Sequence, residues 1–142
     1  MENQIAVVNE MNLVADLDTA RQQVFCSFPT DTKEEKARLY NVSSNPDFKI
    51  AEVVGQEINV KDIYCEMASV VNRDTGEVSQ LPRVVLIAHD GKSYASVSNG
   101  IFNAVRKLIQ VFGMPTWDDP VPVRVKQINI GKNRMYTLEV IE

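Results

Sequence analysis

Apolar and polar positions along this chain change their period twice, and each change marks the edge of a predicted element. From Glu57 to Val71 the period is two: Ile58, Val60 and Tyr64 share one parity, Ile63, Cys65 and Met67 the other. This predicts a strand well beyond the usual five or six residues. Apolar residues on both parities predict that it bends, so that the inner face changes along its length. "NRDTGE", Asn72–Glu77, reads as a hairpin connection, "RVVLIAH", Arg83–His89, as a second strand with Pro82 suited to its first position. "HDGK" is a tight Asp-Gly turn and "SYASV", Ser93–Val97, a short third strand. The period then becomes helical. Ile101, Ala104, Val105, Leu108, Ile109 and Phe112 form a buried stripe, with Asn103, Arg106, Lys107 and Gln110 outside it. Ser98 or Asn99 can cap this helix, Gly113 ends it and Pro115 prevents its continuation. Strict alternation returns in "VPVRVKQINI", Val121–Ile130, followed by a turn at Gly131–Asn133 and a last strand, Arg134–Ile141.

The N-terminal part is less regular. Residues 1–29 show no firm period, and Met11–Gln23 fits either a short helix or an extended arm. In "TDTKEEKARLYN", Thr30 or Asp31 can cap, Glu34 or Glu35 stands at capping-box spacing and Asn41 closes, which predicts a helix over Thr32–Tyr40. "SSNPD", Ser43–Asp47, reads as a turn. Three strands, one helix and two strands is the connectivity of the five-stranded Greek-key barrel called the OB-fold, whose helix between strands three and four plugs one end. A long bent first strand is what closure of such a barrel requires. The expected architecture is therefore mainly β: a five-stranded OB-fold barrel over residues 49–142 behind an N-terminal helical or extended extension, residues 1–48.

A chain of 142 residues, 44% hydrophobic and 24% charged, suits one globular unit with its own core. It has no apolar run near 20 residues and no basic region leading into an apolar block at the start, so the expected compartment is the cytoplasm, without membrane contact. Cys26 and Cys65, far apart and outside any C-x-x-C pattern, read as reduced, buried thiols. The net charge of −4 is unevenly spread: residues 1–80 hold 7 Lys+Arg against 14 Asp+Glu, residues 81–142 hold 8 against 5. An acidic total argues against a protein that coats duplex DNA, yet leaves room for a locally cationic groove. Catalytic chemistry is poorly supplied. The one histidine, His89, stands at a hairpin turn, Glu34 and Glu35 on a helix face, and Asp118 and Asp119 in a loop. There is no set of metal ligands at workable spacing and no phosphate-cradling glycine motif, so no enzyme, metal or cofactor is expected.

Binding chemistry is richer. Lys92 and Tyr94 share a parity on the third strand, Arg124 and Lys126 on the fourth, Arg134 and Tyr136 on the fifth, with Lys132 in the turn between the last two and Arg83 at the start of the second. Phosphates meet Lys and Arg while unpaired bases stack on flat rings, so these eight residues are the candidate track for a single-stranded nucleic acid. Outward cations on a sheet also serve solubility and edge protection; their concentration after Leu81, together with two tyrosines, favours binding. Trp117 is expected to fold back over the core, and Phe25, Phe28 and Phe48 to anchor the N-terminal segment.

"DGKSYASVSNGIFNAVRKLIQVFGMPTW" and "PVRVKQINIGKNRMYTLEV" together resemble the single-stranded DNA-binding proteins of tailed phages and prophages of Gram-positive bacteria. The likeness spans about Glu57–Ile141. It implies an OB-type barrel that coats single-stranded DNA in phage replication and recombination inside the host cytoplasm, with contacts at Lys92, Tyr94, Arg124, Lys126 and Arg134. The acidic tail of bacterial-type relatives has no counterpart here, as the chain ends "TLEVIE", so recruitment of partners by such a tail is not expected. Replication proteins, RNA and further copies of the chain stay open as partners. The competing reading is a non-enzymatic adaptor or inhibitor that uses the acidic N-terminal half against another protein.

Overall fold

A computed structural model of the chain describes residues 24–142. The segment Met11–Gln23 lies outside the described residues. The elements are β1 (Phe25–Cys26), α1 (Lys33–Ser44), β2 (Phe48–Lys49), a 3-10 turn (Ile50–Glu52), β3 (Glu57–Val71), β4 (Val78–Ala88), β5 (Ser93–Val97), α2 (Asn99–Phe112), β6 (Val121–Ile130) and β7 (Asn133–Val140). All strands join one mixed sheet in the order β2-β5-β4-β3-β6-β7, with β1 on β3.

β3 curls the sheet. Its start, Glu57–Val60, pairs with β6, and the stretch from Val60 to Val71 pairs with β4. The register shifts between Val60 and Asp62, leaving Lys61 as an extra residue that bends the strand. The Lys61 carbonyl accepts from the Trp117 amide at 2.9 Å, and Trp117 folds back into the core as expected, its Nε1 donating to the Gly113 carbonyl at 3.1 Å.

Three local features differ from the sequence expectations. The sheet has seven strands rather than five. β1 and β2 are two residues each, too short to leave a period in the sequence. β4 begins at Val78, so Pro82 stands inside it opposite Met67 rather than at its first position. At Pro82 β4 has β3 on one side only, because β5 begins to pair at Arg83, so the missing N–H costs no ladder bond on the open side. α1 runs on to Ser44 through the expected turn. It starts one residue later than expected, with Thr32 rather than Thr30 or Asp31 as cap: Thr32 Oγ1 accepts from the Glu35 amide at 3.1 Å and Glu35 accepts from the Thr32 and Asp31 amides. Those two backbone bonds hold the Glu35 carboxyl below its ordinary pKa.

The core lies on both sides of the β3–β4 ladder. On the inner side Ile58, Val60, Ile63, Val84 and Leu86 pack with Ile101, Val105 and Leu108 of α2 and with Val121, Val123 and Val125 of β6. On the other side Tyr64, Val85, Ile87 and Ala95 are covered by Phe28 and by Val42 of α1. The two cysteines fall on opposite faces. Cys26 stands opposite Tyr64 in the outer cluster, and Cys65 packs on the inner core. They are free, and burial pushes both thiols above their ordinary pKa.

One buried carboxylate ties these layers together. Asp62, 2% exposed, accepts from Ser27 Oγ at 2.8 Å and from Thr116 Oγ1, and faces Arg38 Nη2 at 3.6 Å. Ser27 Oγ in turn accepts from the Ile63 amide at 2.9 Å, and the Arg38 guanidinium lies 4.6 Å over the Phe28 ring.

Candidate nucleic-acid interface

β5 is only five residues long, and β2 covers just Tyr94 and Ala95 of its outer edge, in parallel register. No ladder joins β5 to β7 among the described residues. The space between them is a groove of about 340 Å³ lined by Lys49, Ala51, Arg83, Val97, Ser98 and Tyr136, among others. Its floor is mostly small and apolar, its walls carry two cations, and it contains one aromatic ring.

Tyr136 is set in place by a glycine. A Cβ added at Gly100, in the first turn of α2, would overlap the Tyr136 carbonyl oxygen. The helix start thus lies directly on the β7 backbone, which only a residue without a side chain permits. Alanine normally stabilises a helix relative to glycine by about 1 kcal/mol. Here Gly100→Ala is expected to destabilise the fold by about 1–3 kcal/mol through overpacking, measured as a lower urea midpoint with an unchanged m value.

The hairpin arms carry the remaining candidates, and register decides which way they face. Directly paired residues share a face, so in β6–β7 the pairs Val125–Leu138, Gln127–Tyr136 and Asn129–Arg134 lie on the core side. Arg124–Glu139, Lys126–Thr137 and Ile128–Met135 lie on the other. Arg134 and Tyr136 therefore do not share a track with Arg124 and Lys126. The cause is the turn. A three-residue turn at Gly131–Asn133 would have put all four on one face, but the connection has two residues, with Asn133 already paired to Ile130 and Gly131 at φ 61°. A slip of one residue reverses every side chain of the following strand.

The eight residues divide as follows. Arg83 and Tyr136 border the groove from opposite faces of the sheet: Arg83 stands opposite Glu66 and Val97 on the outer parity of Val85 and Ile87, whereas Tyr136 is on the core side and Arg134 extends that face of β7. Arg83 is committed in part: its Nη1 donates to the Ser43 carbonyl at 2.7 Å and to Glu66 at 3.1 Å. Arg124 and Lys126 are exposed on the outer face, both ion-paired to Glu139. Lys132 is exposed in the turn. Lys92 stands exposed in the turn before β5, and Tyr94 lies with its ring stacked on Phe48 at 5.3 Å, so that surface already has an aromatic partner. Burial, then Asp90 and Asp47, push the Tyr94 phenol above its ordinary pKa.

Sequence reasoning missed several neighbours of this site. Lys49 reaches the groove only because a two-residue strand adds to β5. Met67, Val71 and Val78 lie on the core-side face of the β3–β4 arm yet are 40%, 58% and 62% exposed, because the arm runs past the last covering element. Gly100 left a readable signal, a glycine inside a helical turn where most residues are better helix formers.

Among the described residues no cluster of His, Cys, Asp and Glu is placed to hold a metal ion, and no helix is long and apolar enough to cross a membrane. A family model described as phage single-stranded DNA-binding protein matches residues 18–140. No curated protein and no solved structure matches the chain.

Proposed function

We propose, from the premise that this chain belongs to the phage single-stranded DNA-binding protein family and binds single-stranded DNA, that the unpaired strand runs over the core-side faces of the two hairpin arms and through the groove at their root. The observation that carries this reading is the gap between β5 and β7, where an apolar floor, Tyr136, Lys49 and Arg83 meet. A base entering it meets a flat ring, one flanking phosphate meets Arg134 on the core-side face, and the other meets Lys49 and Arg83 at the rim where the groove opens to the outer face. The exposed Met67, Val71 and Val78 offer further apolar contact to bases that have lost their stacking partners.

In this reading the five strands β3 to β7 form an OB-type barrel left open between its third and fifth strands, and α2 packs against β7 and β4 at one end. Residues 49–142 supply the barrel, and the described part of the preceding segment covers its outer face through Phe28 and Val42. The action is binding without catalysis, in the host cytoplasm, in support of replication and recombination, where replication proteins are the natural partners. Of the remaining sequence candidates, Lys92, Tyr94 and Lys132 flank this path, and Arg124 and Lys126 lie on the opposite face of the β6–β7 arm.

The test is a titration of labelled oligo-dT, oligo-rU and duplex DNA of equal length at several salt concentrations. Oligo-dT is expected to bind far better than duplex, with log K falling linearly against log salt by about 0.7 for each phosphate contacted. Lys49→Gln with Arg134→Gln removes two phosphate contacts, so the slope is expected to flatten by about 1.4. Duplex bound as tightly as oligo-dT, or a double variant with an unchanged slope, would remove this path from consideration.

A further inference from the structure

The outer face of the β6–β7 hairpin holds a second cationic arrangement, and it is already filled. Arg124 Nη1 lies 3.6 Å from one Glu139 oxygen, and Lys126 Nζ donates to the other at 3.1 Å. Among the described residues Glu139 is the carboxylate within ion-pair distance of either cation. Glu57 stands opposite Arg124 on β3, and Thr137 opposite Lys126. All three bridged side chains are close to half exposed, so the pairs are open to exchange. Next to them on the same face lie Ile128, Ile130 and Met135, each more than 40% exposed. Two cations beside an exposed apolar strip are what a polynucleotide needs, phosphate against charge and bases against hydrocarbon.

We infer that Glu139 sits where a DNA phosphate binds, and that the incoming backbone must displace its carboxylate from Arg124 and Lys126. A carboxylate and a phosphodiester each present two anionic oxygens to such a pair of donors. Glu139 is thus an internal competitor. It lowers affinity and quickens release, which suits a protein that must leave the strand when the DNA is copied. The inference rests on the proposed DNA-binding surface reaching around the β6–β7 arm, from the Tyr136 face to the Arg124 face.

A mutant cycle with labelled oligo-dT tests it, each variant first being checked for an unchanged melting curve. Glu139→Gln is expected to tighten binding two- to fivefold, the range that an exposed ion pair commands, and to slow dissociation by a similar factor. Arg124→Gln with Lys126→Gln is expected to weaken binding and flatten the salt slope by about 1.4. In that double background Glu139→Gln should change nothing. An equal gain in both backgrounds would mean that removal of any negative charge suffices, and would overturn the competitor. No gain in the wild-type background would overturn it too. Wild-type protein that failed to bind oligo-dT at all would sink the binding surface itself, a different failure.

Discussion

Asp62→Ala is expected to destabilise the protein by about 3 kcal/mol, which for a chain of this size lowers the melting temperature by about 10 °C. The carboxylate is 2% exposed and joins four separate parts of the molecule: Ser27 after β1, Arg38 of α1, Thr116 after α2, and β3 itself. Truncation leaves two hydroxyls and a guanidinium facing a cavity. Ser27 Oγ loses its acceptor outright, whereas Thr116 Oγ1 can turn to the Ser27 carbonyl, 3.3 Å away, and Arg38 is partly solvated and recovers some of its loss in water. Asp62→Asn keeps the shape and one acceptor oxygen, so about half that cost is expected. Thermal and urea unfolding followed by circular dichroism measure both. An alanine variant within 1 kcal/mol of wild type would show that these contacts do not hold the N-terminal segment to the sheet.

Tyr136→Leu is expected to weaken oligo-dT binding by about 1–3 kcal/mol, roughly five- to 150-fold, since that is what one stacked base contributes. Leucine preserves most of the apolar packing of Tyr136 against the core, so the loss should fall on binding more than on stability. Tyr136→Phe keeps the ring and should stay within about twofold of wild type, because the contact is the ring face rather than the hydroxyl. The salt slope should be the same in all three proteins, since no phosphate contact is lost. This separates Tyr136 from Lys49 and Arg134, whose removal alters the slope. A Tyr136→Leu variant that binds as wild type would move the stacking site elsewhere, with Tyr94 the next ring to test.

These experiments probe features of unequal visibility in the sequence. β3, β5, α2 and β6 could be bounded almost to the residue, because each carries a period set by its own backbone: two for strands, 3.6 for the helix. Their ends are marked by residues that act locally, such as Ser98 capping α2 and the turn at Gly76 closing the β3–β4 hairpin. The bend in β3 was legible too, since it leaves apolar residues on both parities. Phage single-stranded DNA binding was legible from the stretch Gly91–Trp117 and the last two strands, and the family match over residues 18–140 agrees with it.

The site was less visible, for a different reason. Alternation along β6 determines that Arg124 and Lys126 share a face, and along β7 that Arg134 and Tyr136 do. Whether the two pairs share one face is set by a turn one residue shorter than expected. Strands of two residues, β1 and β2, have no period at all and exist only because β3 and β5 offer them an edge. The overlap that excludes a side chain at Gly100, the capture of two cations by Glu139 and the four-way contacts of Asp62 join positions from 13 to 54 residues apart in the chain. The sequence by itself determined the longer elements, their order and the class of ligand, since each follows from neighbouring residues or from family pattern. Only the tertiary structure decided which cations are free, which are paired and where a base can enter, because those depend on how strands far apart in sequence come into register across a curled sheet.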